Sequence, residues 1–525
     1  MTFITCILIF LVVVLLVVLY LHQPRPSNFP PGPLQFPLVG NSPIFRKLCK
    51  KLGHQYRAFA HLAKEYGPVV GLRLGRHFVV VVSGVEALRQ VLGREEFEGR
   101  PDTFFMRLRS MGTRRGITST DGPNWNEQRS FTVRHLRNLG FGRQTMAVLI
   151  EEELTQYLKS LQNEGTVVNG RNAGKGILMD LNLAPNVLNV LWAIVAGTRF
   201  SSNDPKLDSL LKLLRTRSRA FDMAGGMLSQ FPWLRHIAPK ASGYTLLLDV
   251  NARMKEFLME TIEKHKEGYV EGCLRDLIDA YIREMKSRKE DPTSTFTDDQ
   301  LVMVCLDMFI AGSETTSNTL QFAFLLAALH PEIQDKVQHE LDTLLGRSEN
   351  GKVMNGLKRE LVLSDRTKLP YCEAFLTEAQ RICHVTPVAG PRRAMSDTKV
   401  AGYDIPKDTV LLLNFRSVHM DVEHWKDPKV FRPERFLKVG DNGELELNNH
   451  DDWLLPFGSG RRRCPGEVLA RSFLFMFFAG ILLHFQIAPD PRMPPPTHPA
   501  HHSGTLPGLT LAPHPTKLLL TPRSH

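Results

Sequence analysis

The chain has 525 residues, of which 43% are hydrophobic and 23% are charged, as in an ordinary packed globular protein. This composition excludes a disordered chain, a collagen-like repeat and a small disulfide-stapled scaffold. The net charge of +11 comes from basic residues scattered along the chain, so no nucleic-acid partner is expected. The seven cysteines form no C-x-x-C pair, which argues against a zinc ribbon or a thioredoxin-type site.

An uncharged apolar segment runs from Phe3 to Leu21. As a helix at about 1.5 Å per residue, it matches the roughly 30 Å hydrocarbon core of a bilayer. A cleaved signal peptide is the alternative, but it would need a charged start, a shorter apolar stretch and a small-residue cleavage site. Positive charge appears only from Arg25 onward. Residues 1–22 are therefore predicted to form a single-pass transmembrane anchor, with the rest of the chain in the cytosol.

Proline is dense in the next segment, with Pro-Arg-Pro from Pro24 and Pro-Pro-Gly-Pro from Pro30. Proline at this density cannot continue a helix, so residues 23–41 are predicted to be a stiff, extended hinge. No second linker and no repeat follows, and residues 42–525 are predicted to form one catalytic domain.

Helical periodicity dominates the body of the chain. Helices are predicted over Leu136–Leu161, Leu246–His265, Asp298–Leu329 and Pro331–Leu345. Strand-like runs are short and few, such as Phe78–Val82 and Thr409–Leu413. The predicted fold class is mainly α with a minor β component.

The segment from Phe457 to Gly466, which reads FGSGRRRCPG, carries the clearest chemistry. Pro465 suits the first position of a helix, which would put Cys464 at or beside the N-cap. The positive end of a helix dipole favours a thiolate there. Glycines let a flat ligand approach the backbone, and arginines supply charge for an anion. A thiolate facing a planar dianion is typical of axial ligation of haem iron, although a lone cysteine is more commonly inert and buried.

This segment resembles the haem-binding signature F-x-x-G-x-R-x-C-x-G of the cytochrome P-450 family, with Phe457, Gly460, Arg462, Cys464 and Gly466 at the fixed positions. The resemblance implies a cytochrome P-450 fold behind the membrane anchor. It also implies haem b (iron protoporphyrin IX) as the cofactor, with Cys464 as the metal ligand and Arg462 on a propionate.

Further segments match the family in chain order. The resemblance implies that Thr315 and Glu314, in Ala-Gly-Ser-Glu-Thr-Thr from Ala311, organise protons for O–O cleavage. Trp125 and Arg129 match W-x-x-x-R, a pair that would contact a propionate, as would Arg100 and Arg392. Arg392 stands where related members often have histidine. Glu378 and Arg381 match E-x-x-R, and Arg435 in the Pro-Glu-Arg-Phe segment would complete a structural network with them.

The resemblance implies a haem-thiolate monooxygenase that inserts one atom of dioxygen into a small lipophilic substrate. Electrons would come from NADPH through NADPH–cytochrome P-450 reductase, with cytochrome b5 as a second donor, because the chain has no dinucleotide-binding G-x-G-x-x-G unit of its own. Arg461–Arg463 and the Trp125 helix would form the basic docking face. In its overall sequence pattern the chain most resembles insect members of the clan that includes juvenile-hormone epoxidases. As a microsomal member, it is expected in the endoplasmic reticulum membrane.

Terpenoid or hormone epoxidation or hydroxylation is the favoured activity. N-hydroxylation of an aromatic amine or amino acid towards an oxime is an alternative, and Asp307 would then contact a polar substrate group unless it is simply a solvated or capped aspartate. A rearrangement without dioxygen is a second alternative, which the Glu314–Thr315 pair disfavours. A non-catalytic haem protein, such as a sensor, is a third, and it predicts an eroded distal motif. The substrate pocket is expected near Phe104–Ile117, Phe221–Trp233, Asp307–Ala311, Val385–Ala389 and Leu506–Leu509.

Overall fold

The fold is taken from a computed structural model of the chain. It describes residues 25–163, 177–180, 182–201, 204–219, 226–346, 348–349, 352–353, 359–448, 450, 452–494 and 505–523, and near the N-terminus Phe3, Thr5, Ile7 and Val12.

Helices make up most of the described chain. In chain order they are α1 (Ser42–Leu52), α2 (Gln55–Tyr66), α3 (Val85–Leu92), α4 (Phe104–Arg109), α5 (Gly122–Asn138), α6 (Gln144–Asn163), α7 (Ala184–Ala196), α8 (Pro205–Arg219), α9 (Gly226–Gln230), α10 (Leu234–Ile237), α11 (Tyr244–Glu267), α12 (Leu277–Ser287), α13 (Asp298–Leu329), α14 (Pro331–Leu345), α15 (Pro370–Ile382), α16 (Arg416–His419), α17 (Val422–Trp425) and α18 (Glu467–His484).

The strands are short. They are β1 (Val69–Leu74), β2 (His77–Val82), β3 (Ile177–Asp180), β4 (Ser348–Glu349), β5 (Lys352–Val353), β6 (Arg392–Arg393), β7 (Thr398–Val400), β8 (Tyr403–Ile405), β9 (Val410–Leu413), β10 (Leu437–Val439), β11 (Leu445–Leu447), β12 (Phe485–Pro489), β13 (Thr505–Leu506), β14 (Ala512–Pro513) and β15 (Lys517–Pro522). The largest sheet has the order β1-β2-β9-β6, and its β2–β9 pair is parallel. These elements confirm the predicted mainly α class with a minor β component.

The core is built around α13, which packs against α7, α11, α15 and α18. Thr297 caps its first turn, because its hydroxyl accepts the backbone N–H of Gln300 at 3.2 Å. Most of its positions are buried on every side, as expected of a central helix rather than a surface helix. The bounds of α13 and α14 agree with the sequence prediction. This helix carries the predicted distal motif through the middle of the molecule.

The predicted helix over Leu136–Leu161 is wrong in one respect, because it is broken into α5 and α6. Gly140 and Gly142 stand in the break with φ of +98° and +75°. Glycine adopts this left-handed region at little cost, so the pair permits the chain to turn there. The apolar periodicity on both sides had concealed the break.

The predicted anchor over residues 1–22 lies outside the described residues, apart from Phe3, Thr5, Ile7 and Val12, which are helical and exposed. Among the described residues one helix, α18, is long and apolar enough to cross a membrane. Most of α18 is buried inside the protein, as in a core helix. The anchor therefore stays a prediction.

The later part of the predicted hinge packs on the folded body. Phe29 is buried in the core beside β1. The N–H of Gly71 donates to the carbonyl of Pro31 at 2.8 Å. A Cβ on Gly32 would lie 2.1 Å from the Gly71 carbonyl oxygen, so only glycine allows this close approach. From Phe29 onward, the segment predicted as a stiff, extended hinge is therefore attached to the main sheet.

Candidate active site

A cavity of about 360 Å³ lies between α13 and the loop that precedes α18. Its α13 wall is formed by Met308, Ala311, Gly312, Thr315, Thr316 and Thr319. The opposite wall comes from the loop with Cys464 and from the first turns of α18. Of the predicted pocket segments, Asp307–Ala311, Val385–Ala389 and Leu506–Leu509 contribute residues to the lining, whereas the described parts of Phe104–Ile117 and Phe221–Trp233 do not.

The loop that carries Cys464 is held by its backbone. The N–H of Cys464 donates to the carbonyl of Phe457 at 2.9 Å. Gly460 has φ of +72°, and a Cβ there would lie 2.3 Å from the carbonyl oxygen of Leu92. No larger residue fits at this position without moving the backbone, which explains the glycine of the signature.

The Cys464 side chain is accessible because it faces the cavity. The predicted N-cap position is wrong: α18 begins at Glu467 with Gly466 as its N-cap, so Cys464 lies two residues before the cap. Burial among protein atoms raises the pKa of the Cys464 thiol, while the N–H of Gly466, which donates to the sulfur, and the charge of Arg129 lower it. Burial therefore opposes a free thiolate at Cys464, whereas a bound metal ion would favour one.

Three of the predicted arginines, Arg100, Arg392 and Arg462, line the cavity together. Arg462 Nη2 donates to the carbonyls of Glu98 and Thr120 at 2.8 and 2.9 Å. Its Nε and Nη1, and also Nε of Arg100, are buried without a hydrogen-bond partner. Burial and then the neighbouring Arg392 lower the pKa of Arg462 to about 9. Burial lowers the pKa of Arg392 to about 10.

Trp125 and Arg129 do not line the cavity but lie behind the edge that Arg100, Arg392 and Arg462 form. Trp125 is buried, and the guanidinium carbon of Arg462 lies 3.7 Å from the centroid of its ring. Arg129 Nη2 donates to the carbonyl of Arg463 at 2.6 Å. Both residues therefore contact the Cys464 loop and its arginine in the structure.

Thr315 and Glu314 are adjacent in the chain but line different spaces beside α13. Thr315 lines the cavity, and its hydroxyl donates to the carbonyl of Ala311 at 2.8 Å. Glu314 lines a separate groove with Arg215 and Arg219 of α8. Its carboxylate accepts the hydroxyl of Thr510 at 3.1 Å, and burial raises its pKa. The motif gave no sign of this groove, because its walls come from distant segments.

Gly312 is also explained by packing. A Cβ on Gly312 would lie 2.5 Å from Cδ2 of Leu191 on α7, so the glycine allows α7 and α13 to pack closely at the cavity.

The predicted network of Glu378, Arg381 and Arg435 is confirmed. Arg381 donates to Glu378 through Nε and Nη2 at 2.6 and 2.8 Å, and both side chains are fully buried. Arg435 Nε lies 3.2 Å from Glu378, and the remaining donors of Arg381 bind the carbonyls of His419 and Pro428. The network joins α15 to the segment that leads to the Cys464 loop.

His384 was missed by the sequence analysis, although it lines the cavity just after α15. Burial lowers its pKa to about 3, so the imidazole is neutral, and its Nδ1 has no partner. A lone histidine outside any motif carries no signal in the sequence, and only the tertiary fold brings it to the cavity.

Comparison with known proteins decides the family. The sequence model of the family described as "Cytochrome P450" matches residues 30–520. The chain belongs to the cytochrome P-450 family. It is therefore an oxidoreductase of the monooxygenase type, and the cofactor of this family is haem with a cysteine thiolate as axial ligand.

Individual relatives cover nearly the whole chain. A Drosophila melanogaster protein named "Probable cytochrome P-450 305a1" is 43% identical over 506 residues, 95% of each chain. The "Farnesoate epoxidase" of Bombyx mori is 36% identical over 496 residues, 94% of each chain. The mouse "Cytochrome P-450 2J5" is 33% identical over 473 residues, 89% of this chain and 87% of that relative.

The residues around the cavity fit a haem. The buried donors of Arg462 and Arg100 without partners, in a group of mutually repelling arginines, call for an anion with more than one charge at this edge. The two propionates of a haem supply that charge. The sulfur of Cys464 faces the same cavity, where a metal ion would lower its pKa.

Proposed function

We propose that this chain is a membrane-anchored haem-thiolate monooxygenase of lipophilic substrates, with Cys464 as the iron ligand. The single observation that carries this assignment is the convergence of Cys464, Thr315 and the unsatisfied Arg462 on one cavity. One oxygen atom enters the substrate and the other leaves as water, while NADPH supplies the two electrons that balance the reaction.

The haem would be held between Cys464 and the arginine edge of Arg462, Arg100 and Arg392, with Trp125 and Arg129 fixing the loop from behind. When bound, haem with a thiolate ligand binds and activates dioxygen. Thr315 places a hydroxyl on the α13 wall of the cavity, where it would hold a proton for the oxygen chemistry that a bound haem supplies. Glu314, which lines a separate groove beside α13, would take up protons from solvent at the carboxylate that accepts the Thr510 hydroxyl.

Terpenoid or hormone epoxidation or hydroxylation is the activity that we favour. The lining of the cavity is predominantly apolar, with Val187, Leu191, Met308, Val385, Val388, Leu474 and Leu509 among its members. The name of the silkworm relative supports an isoprenoid substrate. N-hydroxylation towards an oxime has less support, because Asp307 is bound to two loop N–H groups. The Glu314–Thr315 pair disfavours a rearrangement without dioxygen.

A membrane location is supported by exposed apolar residues in two segments. Leu34 and Phe36 are exposed after the predicted anchor, and Trp233 and Ile237 are exposed around α10. The two exposed segments are near each other, because Gly75 contacts residues close to both. Its N–H donates to the carbonyl of Val39, near Leu34 and Phe36, at 3.4 Å. A Cβ on Gly75 would lie 3.0 Å from the carbonyl oxygen of Gln230, near Trp233. These residues would contact the endoplasmic reticulum membrane, with the catalytic domain in the cytosol and residues 1–22 as the anchor.

The docking face for NADPH–cytochrome P-450 reductase, with cytochrome b5 as a second donor, is assigned to α5 and its C-terminal end. Arg461 is paired with Glu95 and Glu98, and Arg463 with Glu467. Arg134, Arg137 and Arg143 are exposed, without an ion pair among the described residues. These free positive charges would attract an acidic partner.

Product analysis under labelled dioxygen tests the activity. The full-length chain in membranes, with reductase and NADPH, is given farnesoid acids and esters, fatty acids, steroids and aromatic amino acids. We expect one labelled oxygen in the product of a lipophilic substrate. Cys464→Ser should abolish both turnover and the carbon monoxide absorption band of a haem thiolate, whereas Cys273→Ser, at an exposed cysteine elsewhere, should leave both intact. A labelled oxime from an amino acid would move the assignment to nitrogen chemistry, and unlabelled products would exclude oxygenation.

A further inference from the structure

Two buried histidines lie side by side near the start of the loop that carries Cys464. His384 follows α15, and His419 is the last residue of α16. Their ring centroids are 4.4 Å apart, and only 1% of His384 and 0% of His419 are exposed. The two residues belong to different segments, so only the tertiary fold brings the imidazoles together.

The imidazole of His419 holds the chain where this loop begins. Its Nε2 accepts the N–H of Leu455 at 2.8 Å. Leu455 is itself buried, so its N–H would be left without a partner if this acceptor were removed. The contact also fixes the tautomer, because a neutral imidazole that accepts at Nε2 carries its proton on Nδ1.

A short series of backbone hydrogen bonds connects Leu455 to Cys464. The carbonyl of Leu455 accepts the N–H of Gly458 at 3.2 Å. The carbonyl of Phe457, in the same turn, accepts the N–H of Cys464 at 2.9 Å. The position of Leu455 therefore influences where the sulfur of Cys464 stands in the cavity.

The backbone of His419 is bound to the buried network at Glu378. Arg381 Nη1 donates to the carbonyl of His419 at 2.7 Å. The same guanidinium donates to both carboxylate oxygens of Glu378. His419 is thus held firmly through its backbone, and its side chain transmits that position to the start of the loop.

The surroundings keep both imidazoles neutral. Burial first, and then His384, Arg381 and Arg416, lower the pKa of His419 well below 6.5. Burial, followed by the charge of Arg416, lowers the pKa of His384 to about 3, although a hydrogen bond with the backbone of Pro456 opposes this shift. The charges that act on His419 are therefore all positive.

The neighbouring groups do not offset these charges. The carboxylate of Glu378 is already bound by Arg381 and Arg435. Burial raises the pKa of the Cys383 thiol, next to His384, to about 12, so this thiol is uncharged. The remaining polar contact of His384 is the neutral hydroxyl of Thr386, 3.4 Å from its Nε2.

A second proton on His419 would break the contact with Leu455. An imidazolium carries an N–H at both ring nitrogens and has no acceptor. Its Nε2–H would then face the backbone N–H of Leu455, and Arg381 and Arg416 would repel the new charge. Protonation is therefore compatible only with release of the start of the loop.

We propose that His419, with His384 beside it, is a positioning residue for the iron ligand: the neutral imidazole holds the Cys464 loop at Leu455, and protonation releases it. This inference rests on the proposed function, in which Cys464 binds the haem iron. In the released form, each histidine takes up a proton at an ordinary pKa of about 6.5. The loop is therefore held fully above that pH, and below it the released form gains about 10-fold per pH unit for each histidine.

An acid titration of the full-length holoprotein tests the proposal. The carbon monoxide band of the haem thiolate is followed from about pH 8 to about pH 5, and the ratio of released to native protein is plotted logarithmically against pH. His419→Gln keeps an amide oxygen as acceptor for Leu455 but takes up no proton. We expect it to keep the band at neutral pH and to lower the slope by about one proton, which is about 10-fold per pH unit. His384→Asn should lower the slope by the same amount.

Two further variants frame this result. His419→Leu removes the acceptor and should increase the released fraction by about 10-fold or more even at neutral pH. His61→Gln, at an exposed histidine, is the matched control and should leave the slope unchanged. Circular dichroism in the same titration should show the helices intact while the band is lost. Loss of the helices together with the band would make the acid sensitivity global and overturn the proposal.

The slopes decide between positioning and mere packing. An unchanged slope in both His419→Gln and His384→Asn would overturn the proposal. If His419→Gln loses the band at neutral pH, the slope of His384→Asn alone decides, since that variant leaves the acceptor of Leu455 in place. A wild-type protein with an intact band and labelled products would leave the proposed monooxygenase standing in each case. Absence of the band from the wild-type holoprotein at neutral pH would instead remove the proposed function itself.

Discussion

The guanidinium of Arg462 is stacked on the indole of Trp125, with its central carbon 3.7 Å from the ring centroid. The stacking orients an arginine that lies two residues from Cys464, and it keeps the unsatisfied Nε and Nη1 at the cavity. A cation held over an aromatic face in this way gains attraction without using its hydrogen-bond donors. Those donors stay available for the haem.

Loss of Arg462 should release haem. In Arg462→Gln we expect haem affinity to fall by about 10- to 100-fold, because charge-assisted hydrogen bonds to a propionate are lost. The haem-to-protein ratio and the rate of haem transfer to an acceptor protein measure the effect. Arg461→Gln is the control, because Arg461 pairs with Glu95 and Glu98 outside the cavity. Equal haem loss in both variants would contradict the assigned role.

Thr315 should couple electron use to product formation. In Thr315→Ala we expect NADPH consumption to continue while product per NADPH falls by about 10-fold or more, because the hydroxyl that holds the proton at the cavity is gone. Thr315→Ser should restore most of the coupling. Thr319→Ala removes a hydroxyl one turn further along the same wall and should change coupling little. If product and NADPH use fall in proportion, Thr315 serves binding or folding instead.

The buried network at Glu378 should be essential for stability. Arg381→Ala leaves the Glu378 carboxylate buried and uncompensated except for Arg435, which should cost about 3–5 kcal/mol. Denaturant unfolding of the holoprotein measures the loss. Lys336→Ala, which breaks the exposed pair with Glu434, should cost no more than about 1 kcal/mol. A small effect of Arg381→Ala would show that Arg435 alone suffices for Glu378.

His265 should make stability depend on pH. Burial disfavours its charged form, but bonds to Asp276 at 3.0 Å and to the Thr261 carbonyl prevail and raise its pKa above 6.5. The folded state therefore holds the proton more tightly, and this stabilisation is complete below pH about 6.5 and lost as pH rises through the folded pKa. The melting temperature of His265→Gln, measured from pH 6 to 9, should lack this decline. A parallel decline in both proteins would exclude His265 as its source.

The sequence by itself determined the family and the long helices, and it predicted Cys464 as the iron ligand. Such features depend on residue spacing within one segment. Glu378 and Arg381, three residues apart, lie on the same face of one helix. The unbroken run of apolar and helix-forming residues predicts the full length of α13. The break between α5 and α6 could be recognised only from the backbone of the folded structure, because glycines inside an apolar pattern do not reveal whether the chain turns there.

Only the tertiary structure decided which side chains share a space. Thr315 lines the cavity, whereas Glu314, one residue earlier on α13, lines a separate groove. Trp125 packs against the guanidinium of Arg462 instead of lining the cavity. The fold also brings His384 and His419 together from different segments. Such contacts depend on how helices pack and cross over distances of many residues, and the local pattern of any one segment contains no information on them.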